Sequence, residues 1–347
     1  MTRKPIRVLA AVAAIVLAGF AVAFVSRDDK PEGVAFTDMN HGDVKFAKGE
    51  LQRVLNAVDT QTAQVANDQL VAQGRKIFRD PSLFENGETC QTCHAEGSAS
   101  AKLGTMFHDT EIPKLSPVPV PTPPSDFDGP RDPPALFDLD KTPPYFWNAN
   151  VPTIAQAVAT PVFGHMAAFV PGGKDAPAGL IDCQTNTHRA ECVKQAGDIA
   201  AALIAYIKTL KPPQSAFDDG TMSTQALKGE KLFQGKGGCI ECHGGPDFTD
   251  NLVHNTGVPQ VSFKSPYGTP GPRMSHDLGA KPPPPATSAF VNTPQMRDLK
   301  DTAPYMHNGA FKTLKQVVDF YNTQSTLKPL NLTPAEVDDL VAYLESL

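Results

Sequence analysis

Two pentapeptides of the form Cys-x-x-Cys-His, about 150 residues apart, constrain this chain more than any other feature. The first runs from Cys90 to His94 and the second from Cys239 to His243. This is the pattern by which a c-type haem is attached, because the two Cys add to the porphyrin vinyl groups and the His lies beneath the iron. The alternatives are a disulfide or half a zinc site, but zinc would need a second Cys pair or two His nearby, which neither motif has. The predicted haem-binding residues are Cys90, Cys93, His94, Cys239, Cys242 and His243.

Residues 1–30 predict export from the cytoplasm. Three basic residues precede an unbroken apolar run from Val8 to Val25, which is typical of a secretion signal or of an uncleaved membrane anchor. Ala21-Val22-Ala23 resembles a signal peptidase site, but the run is long enough to cross a bilayer, so both interpretations stay open. In either case we expect the rest of the chain in the periplasm, where c-type haems are attached, with membrane contact only through this segment.

The arrangement of apolar residues predicts an all-α fold with long irregular loops. Residues 31–66 have the mixed helical spacing of a helical lead-in. Residues 67–213 and 214–347 each place one helix before a haem motif and a second at the end, which is the plan of a cytochrome c domain. Many of the 33 prolines fall in residues 113–134 and 266–285, which we expect to be irregular.

An internal repeat connects the two halves of the chain. Residues 134–161 align without gaps to residues 294–321, and 10 of the 28 aligned positions are identical. The closing helices of the two halves also match. The repeat predicts two haem domains related by duplication, so differences between them should mark a division of labour.

Several stretches resemble the bacterial di-haem cytochrome c peroxidases and MauG-type enzymes. They are the haem spacing, residues 244–259 with Phe248-Thr249-Asp250-Asn251, and residues 293–322 with Pro304-Tyr305-Met306-His307-Asn308. The resemblance begins near Asn67 and extends to the C-terminus. It implies two facing cytochrome c-like domains, with a peroxide-reacting N-terminal haem and a C-terminal haem that relays electrons. It also implies a small cytochrome c or cupredoxin as electron donor, and hydrogen peroxide or another protein as substrate.

The resemblance implies that Tyr321 is the sixth ligand of the C-terminal haem. The peroxidases have a Met 14 residues after the His that corresponds to His307, whereas the MauG-type enzymes have a Tyr there, as this chain does. A phenolate is a hard anionic donor that favours ferric iron and so lowers the reduction potential relative to Met. The alternative is that Tyr321 is a packing residue. The sixth ligand is then Met274, Met296 or Met306, or the iron has none.

The first half differs from the second at the equivalent positions. The repeat partner of Tyr321 is Pro161, which cannot ligate iron and would leave a position for peroxide. Pro161 could also simply end a helix, and the two interpretations are compatible. The partner of His307 is Trp147, which matches the Trp that relatives have between their haems. An indole can be oxidised reversibly, so Trp147 is a candidate electron relay, with a core Trp as the alternative.

The expected acid–base group departs from the family pattern. Relatives have a Gln where this chain has Ala157, and a Glu near the position of His165. A distal His could move a proton between the oxygens of bound peroxide, or it could instead ligate the iron and close the site. His108, 14 residues after His94, is a second candidate iron ligand.

A calcium ion between the domains is a further implication of the resemblance. Thr302 and Pro304 match positions whose carbonyls hold calcium in relatives, and Asp132 falls near a third ligand.

The sequence therefore predicts an exported di-haem oxidoreductase that reduces peroxide or oxidises a protein. The alternative is a non-catalytic electron-transfer cytochrome with both irons six-coordinate, or a subunit of a respiratory assembly. The missing Gln and Glu favour the carrier, and Pro161 favours the enzyme. The net charge of −6 argues against nucleic acid as a partner.

Overall fold

The structure is a computed structural model. It describes residues 35–36, 44–45, 53–58, 67–81, 89–95, 127–128, 131–159, 162, 189–264, 272–274, 276–277, 279–280 and 289–347. The chain divides into two units, Met1–Glu32 and Gly33–Leu347, and every described residue belongs to the second. The predicted signal or anchor therefore lies outside the described residues, as do His108, Pro161 and His165. The two Pro-rich segments also fall largely outside them.

The first half of the described chain is built on a pair of crossing helices. Its helices are α1 (53–58), α2 (Asn67–Phe78), α3 (Cys90–Cys93), α4 (154–159) and α5 (Arg189–Ile207). Helix α2 buries Leu70, Ile77 and Phe78, the spacing of one helical face. That face packs on α5, where the Phe78 and Tyr206 rings meet edge to face at 5.3 Å.

The other half is built on a second pair of packed helices, with a third helix beside them. Its helices are α6 (Thr224–Gln234), α7 (Leu314–Thr323) and α8 (Pro334–Leu344). Helices α6 and α8 pack together, and the Phe233 and Tyr343 rings lie 5.2 Å apart. Helices α7 and α8 both begin at a Thr with a complete capping box, which satisfies N–H groups of the first turn.

Glycine permits the close approach within each helix pair. A side chain at Gly74 in α2 would overlap the carbonyl oxygen of Ala202 in α5. In the same way, a side chain at Gly229 in α6 would overlap the carbonyl oxygen of Asp339 in α8. In each half, the helix that precedes the haem motif therefore meets the last helix of that half at a glycine.

The described residues contain little strand. Eight strands of two or three residues form four antiparallel pairs. They are β1 (Ala35–Phe36), β2 (Val44–Lys45), β3 (Phe127–Asp128), β4 (Val253–His254), β5 (Ser262–Lys264), β6 (Pro272–Met274), β7 (His276–Asp277) and β8 (Val291–Asn292). The pairs are β1–β2, β3–β7, β4–β8 and β5–β6. The prediction of a helix-rich fold without a substantial sheet is confirmed for this part of the chain.

The expectation of a wholly helical lead-in over residues 31–66 is wrong in part. Helix α1 lies within this segment, but β1 and β2 pair with each other before it. Phe36 and Val44 suit strands, and the Asp, Asn and Gly residues between them are turn formers that disfavour a continuous helix.

Two separate hydrophobic clusters support the two haem motifs. The first draws residues from Val54 to Leu210, and Cys90 packs against it. The second draws residues from Phe233 to Leu347, and Cys239 packs against it. Among the described residues, no helix is both long and apolar enough to cross a membrane.

The aligned segments of the two halves have the same backbone conformation. Leu139–Lys141 and Leu299–Asp301 are both 3-10 turns, and each follows an Asp in the left-handed region. Shortly afterwards, the bridge between Tyr145 and Val151 recurs between Tyr305 and Phe311. The sequence similarity of these segments therefore extends to their local structure.

Candidate haem sites

The first haem motif presents its His as a neutral ligand. The backbone N–H of His94 donates to the Cys90 carbonyl at 2.9 Å, which continues the turn of α3. Nδ1 of His94 lies 2.9 Å from the carbonyl oxygen of Pro134. A carbonyl only accepts, so Nδ1 carries the proton and Nε2 keeps the lone pair that iron needs. Burial lowers the pKa of His94 to about 4, against the opposing effect of the Pro134 carbonyl.

The second motif has the same arrangement on a 3-10 turn, Cys239–Glu241. His243 donates from its backbone N–H to the Cys239 carbonyl at 2.8 Å, and from Nδ1 to the Phe248 carbonyl at 2.9 Å. Burial lowers the pKa of His243, while the Phe248 and Pro294 carbonyls and Asp250 oppose the shift. Pro294 is the repeat partner of Pro134, so the two His residues have corresponding carbonyl neighbours.

The four motif cysteines fit thioether attachment. Cys90, Cys93, Cys239 and Cys242 form no disulfide. Burial raises the pKa of Cys90 to about 12 and that of Cys239 to about 11, so both side chains are protonated thiols at neutral pH before any group is attached. The residue types, their spacing and the orientation of both His residues fit two covalent haems.

One other group of metal-ligating side chains occurs among the described residues, beside the second motif. Ligand atoms of Cys242, Asp250 and His254 lie within 4.8 Å of one another. His254 Nε2 is 2.7 Å from Asp250 Oδ2. Attachment of haem would convert the Cys242 thiol into a thioether, so this group would then not form a separate thiolate metal site.

Tyr321 lies on the face of α7 that points toward the second motif. It shares the spacing of the buried residues Leu314 and Val318. Burial raises the pKa of Tyr321 to about 12, a hydrogen bond with the Thr256 side chain opposes the rise, and the nearby Cys239 and Cys242 add to it. Of the alternative ligands, Met296 packs against the second hydrophobic cluster.

Trp147 is held by residues of both halves. Its indole N–H donates to the Asp132 carbonyl at 2.7 Å, and its own carbonyl accepts from the backbone N–H of Asn292 at 2.8 Å. Its ring meets the ring of buried His307 edge to face, with the centroids 6.2 Å apart. Asp132 in turn donates from its backbone N–H to the His307 carbonyl at 2.8 Å. The repeat partners Trp147 and His307 are therefore neighbours in space.

A buried carboxyl lies next to this contact. Asp132 is buried, and its Oδ1 makes no hydrogen bond within the described part of the chain. Burial raises the pKa of Asp132 to about 9. Thr302, also buried, and Pro304 lie just before His307 in the chain. Further hydrogen bonds join the halves here, from Asn292 Nδ2 to the Pro144 carbonyl at 2.7 Å and from Gln295 Nε2 to the Phe137 carbonyl at 2.6 Å.

Where relatives have a Gln, this chain has Ala157, whose surroundings are also apolar. Ala157 lies on α4 and is buried in a small cluster with Tyr145 and Val151. A methyl group cannot transfer a proton, so any acid–base group must come from elsewhere. The placement of Pro161, His165 and His108 lies outside the described residues.

Comparison with known proteins agrees with this geometry. The family model for di-haem cytochrome c peroxidase matches residues 68–226, and the model for cytochrome c matches residues 226–347. The chain therefore carries a domain that matches the di-haem cytochrome c peroxidase family, followed by a cytochrome c domain. Each matched region contains one haem motif, which implies two c-type haems, and His94 and His243 are the motif histidines that would face the two irons.

Named relatives of this family match to different extents. Cytochrome-c peroxidase IdrP2 of Denitromonas iodatirespirans is 43% identical over 169 residues, which are 41% of this chain and 46% of that relative. Methylamine utilization protein MauG of Methylorubrum extorquens is 28% identical over 368 residues, which are 99% of this chain and 95% of that relative. The diheme peroxidase BthA of Burkholderia thailandensis shares the fold, with a TM-score of 0.55 and 23% identity over 80% of this chain and 86% of its own.

Proposed function

We propose that this protein is an exported di-haem oxidoreductase that reacts with hydrogen peroxide at the N-terminal haem and takes up electrons at the C-terminal haem. The observation that carries the proposal is the contact of Trp147 with both halves, through Asp132, Asn292 and His307. When bound, the haems supply iron that exchanges electrons with peroxide and with a donor. The substrate is peroxide alone, with reduction to water, or peroxide together with a protein that becomes oxidised.

Each named residue has a definite part in this proposal. His94 and His243 hold the irons, and the carbonyls of Pro134 and Phe248 fix the orientation of their rings. Trp147 passes electrons between the halves, and its N–H bond to the Asp132 carbonyl stabilises the indole when electron density is withdrawn from it. Pro161 offers no ligand atom and would therefore leave a position on the N-terminal iron free for peroxide. His165 moves the peroxide proton, and the methyl group of buried Ala157 cannot.

Tyr321 is the proposed sixth ligand of the C-terminal haem. Its location beside Cys239 and Cys242 on the inner face of α7 supports this role. A small cytochrome c or cupredoxin is the proposed donor to this haem.

A calcium ion is proposed at Asp132, with the carbonyls of Thr302 and Pro304. The buried Oδ1 of Asp132 makes no hydrogen bond within the described residues, and Asn292 Oδ1 is in the same situation. Since burial alone raises the pKa of Asp132 to about 9, a nearby dication would be needed to keep this carboxylate ionised at neutral pH. Elemental analysis before and after chelation, with Asp132→Ala for comparison, tests the site, and equal metal content in both proteins would argue against it.

The domain arrangement and the origin of the two halves are also proposals. Two haem domains, 67–213 and 214–347, derived by duplication, would explain the recurring turn, bridge and helix crossing. The apolar run in residues 1–30 supports export, with the segment either cleaved or kept as an anchor. Intact mass of the protein from membrane and periplasmic fractions distinguishes the two outcomes.

Electron paramagnetic resonance of the oxidised protein tests the proposed function. A high-spin ferric signal beside a low-spin one supports an open N-terminal iron. Two low-spin signals support the second candidate, a di-haem electron carrier, which buried Ala157 in place of a Gln favours. The variant His165→Ala further distinguishes the two candidate functions. It should slow the peroxide reaction roughly 10²–10⁴-fold if His165 is the acid–base group. If His165 is instead an iron ligand, the variant should create a new high-spin signal and react faster.

A further inference from the structure

Asn292 binds two carbonyls of one segment in the other half of the chain. Its backbone N–H donates to the Trp147 carbonyl at 2.8 Å, and its side-chain Nδ2 donates to the Pro144 carbonyl at 2.7 Å. A carbonyl oxygen only accepts hydrogen bonds, so the amide nitrogen of Asn292, and not its amide oxygen, faces Pro144. Asn292 therefore holds the segment of residues 144–147 at both of its ends.

The segment that Asn292 holds contains an unfavourable backbone conformation. Phe146 has a φ of 65°, in the left-handed region that residues with a side chain rarely adopt. The bridge between Tyr145 and Val151 closes this turn from within the N-terminal half. Such a conformation persists only where surrounding bonds hold it, and Asn292 supplies two of them from the other half.

Strand β8, which carries Asn292, is itself anchored in the C-terminal half. Asn292 is paired with Val253 of β4, and the next residue, Thr293, donates from its backbone N–H to the Leu252 carbonyl at 2.9 Å. The carbonyl of Thr293 accepts from the Thr249 hydroxyl at 2.6 Å. Asn292 is therefore a firm attachment point for the segment of residues 144–147.

Asn292 corresponds to Asp132 in the internal repeat. Residues 132 and 292 are separated by the same offset of 160 as residues 134 and 294. Their backbone N–H groups make corresponding bonds, because that of Asp132 donates at 2.8 Å to the carbonyl of His307, the repeat partner of Trp147. Their side chains differ, since an amide can donate directly to a carbonyl whereas a carboxylate cannot. The amide therefore gives the Asn292 side of this contact a bond that needs no bridging cation.

We propose that Asn292 is a positioning residue, whose side-chain amide holds residues 144–147 against β8 and thereby fixes the orientation of the Trp147 indole. The consequence for electron transfer rests on the proposed relay by Trp147, whereas the orientation itself does not. The indole N–H donates to the Asp132 carbonyl at 2.7 Å, and this bond requires the ring to stay in one place. Loss of the bond to Pro144 frees one end of the segment, so the indole bond should open more often.

The experiment compares Asn292→Asp with wild type in the fully haem-loaded protein. The substitution keeps the size of the side chain and the backbone N–H, but it places an acceptor oxygen opposite the Pro144 carbonyl. Because the chain has a single Trp, ultraviolet resonance Raman spectroscopy in deuterated water follows exchange of this one indole N–H. Loss of one hydrogen bond should raise the exchange rate by roughly threefold to tenfold. Asn292→Gln, which keeps an amide donor, should raise it less.

Gln295→Glu is the matched control. Nε2 of Gln295 also donates to a carbonyl of the other half, that of Phe137 at 2.6 Å, and this substitution likewise exchanges an amide for a carboxylate. It should leave the indole exchange rate close to wild type. An increase as large as that in Asn292→Asp would mean that the general attachment of the halves matters, and the inference would be overturned. Asn292→Ala repeats the measurement should Asn292→Asp fail to incorporate haem.

Failure of this inference can be told apart from failure of the proposed relay. If Asn292→Asp leaves the indole exchange rate unchanged, the positioning role is refuted, whatever the rate of electron transfer. If the exchange rate rises while Asn292→Asp and Trp147→Phe both transfer electrons between the haems at the wild-type rate, Asn292 positions the indole and the relay is refuted. A raised exchange rate together with slower transfer in Asn292→Asp supports both.

Discussion

The Nδ1 atoms of His94 and His243 decide which form of imidazole each haem motif offers. Both donate to backbone carbonyls at 2.9 Å, so each ring is held in one tautomer and one orientation. Burial also lowers the pKa of both residues, which keeps the rings neutral at neutral pH. The fold therefore leaves the Nε2 lone pair of each ring available for iron.

The first prediction concerns His243→Ala. Because attachment depends on the two Cys residues, the variant should keep two haems by intact mass and haem-stained denaturing gels, yet the C-terminal iron should lose its proximal ligand. Its electron paramagnetic resonance signal and potential should change, whereas those of the N-terminal haem should not. His254→Ala is the control, since His254 pairs with Asp250 in the same half. An unchanged spectrum in His243→Ala would rule out ligation by this residue.

A second prediction at this scale concerns Tyr321→Met. A thioether favours ferrous iron more than a phenolate does, so the substitution should raise the reduction potential of the C-terminal haem. Tyr343→Phe is a suitable control, because Tyr343 is a buried core residue of the same half. Spectroelectrochemical titration measures the reduction potential of both variants. An unaltered potential in Tyr321→Met would count against ligation by Tyr321.

In each half, two helices cross at a glycine. In α2 and in α6, one glycine faces the backbone of the last helix of its half, and the crossing in turn supports the haem motif that follows. The glycines are therefore needed for distance rather than for an unusual backbone conformation.

The third prediction is that Gly229→Ala destabilises the C-terminal half. The added methyl group would overlap the Asp339 carbonyl, so α6 and α8 must separate, at a cost of about 1–3 kcal/mol. Thermal unfolding of the haem-loaded protein should show a lower midpoint than wild type. Lys228→Ala, at the adjacent exposed position of α6, should leave the midpoint almost unchanged. Equal midpoints in the two variants would mean that the crossing tolerates a larger separation.

Sequence patterns predicted the elements that local periodicity determines. Leu70, Ile77 and Phe78 carry the spacing of one helical face, and α2 buries all three. The repeat placed Trp147 and His307 at equivalent positions, but it could not predict that these partners contact each other, because this depends on how the halves pack. The β1–β2 pair was missed because two-residue strands leave no period to detect.

At the scale of the whole molecule, the two halves meet through backbone hydrogen bonds around one aromatic pair. Trp147 contributes its indole N–H and its carbonyl, and His307 contributes its ring and its carbonyl. Backbone atoms are rigid partners, so the indole is held in one orientation between the haem-bearing halves. This arrangement suits a relay, which must keep constant distances to both sides.

The last prediction is that Trp147→Phe separates peroxide reaction from electron transfer. Phenylalanine keeps an aromatic ring against His307 but is much harder to oxidise than an indole, and it lacks the N–H that bonds to Asp132. Peroxide should still be consumed at the N-terminal haem in the first turnover, whereas oxidising equivalents should reach the C-terminal haem much more slowly. Stopped-flow spectroscopy at wavelengths specific to each haem resolves the two steps.

Tyr145→Phe is the matched control, because Tyr145 is a buried aromatic residue two positions away, in a cluster with Val151 and Ala157. It should leave both steps near their wild-type rates. If Trp147→Phe and Tyr145→Phe transfer electrons equally fast, the indole is only a packing residue and the halves must exchange electrons directly. If Trp147→Phe abolishes the peroxide step as well, its main role lies in holding the N-terminal site together, and the relay proposal loses its support.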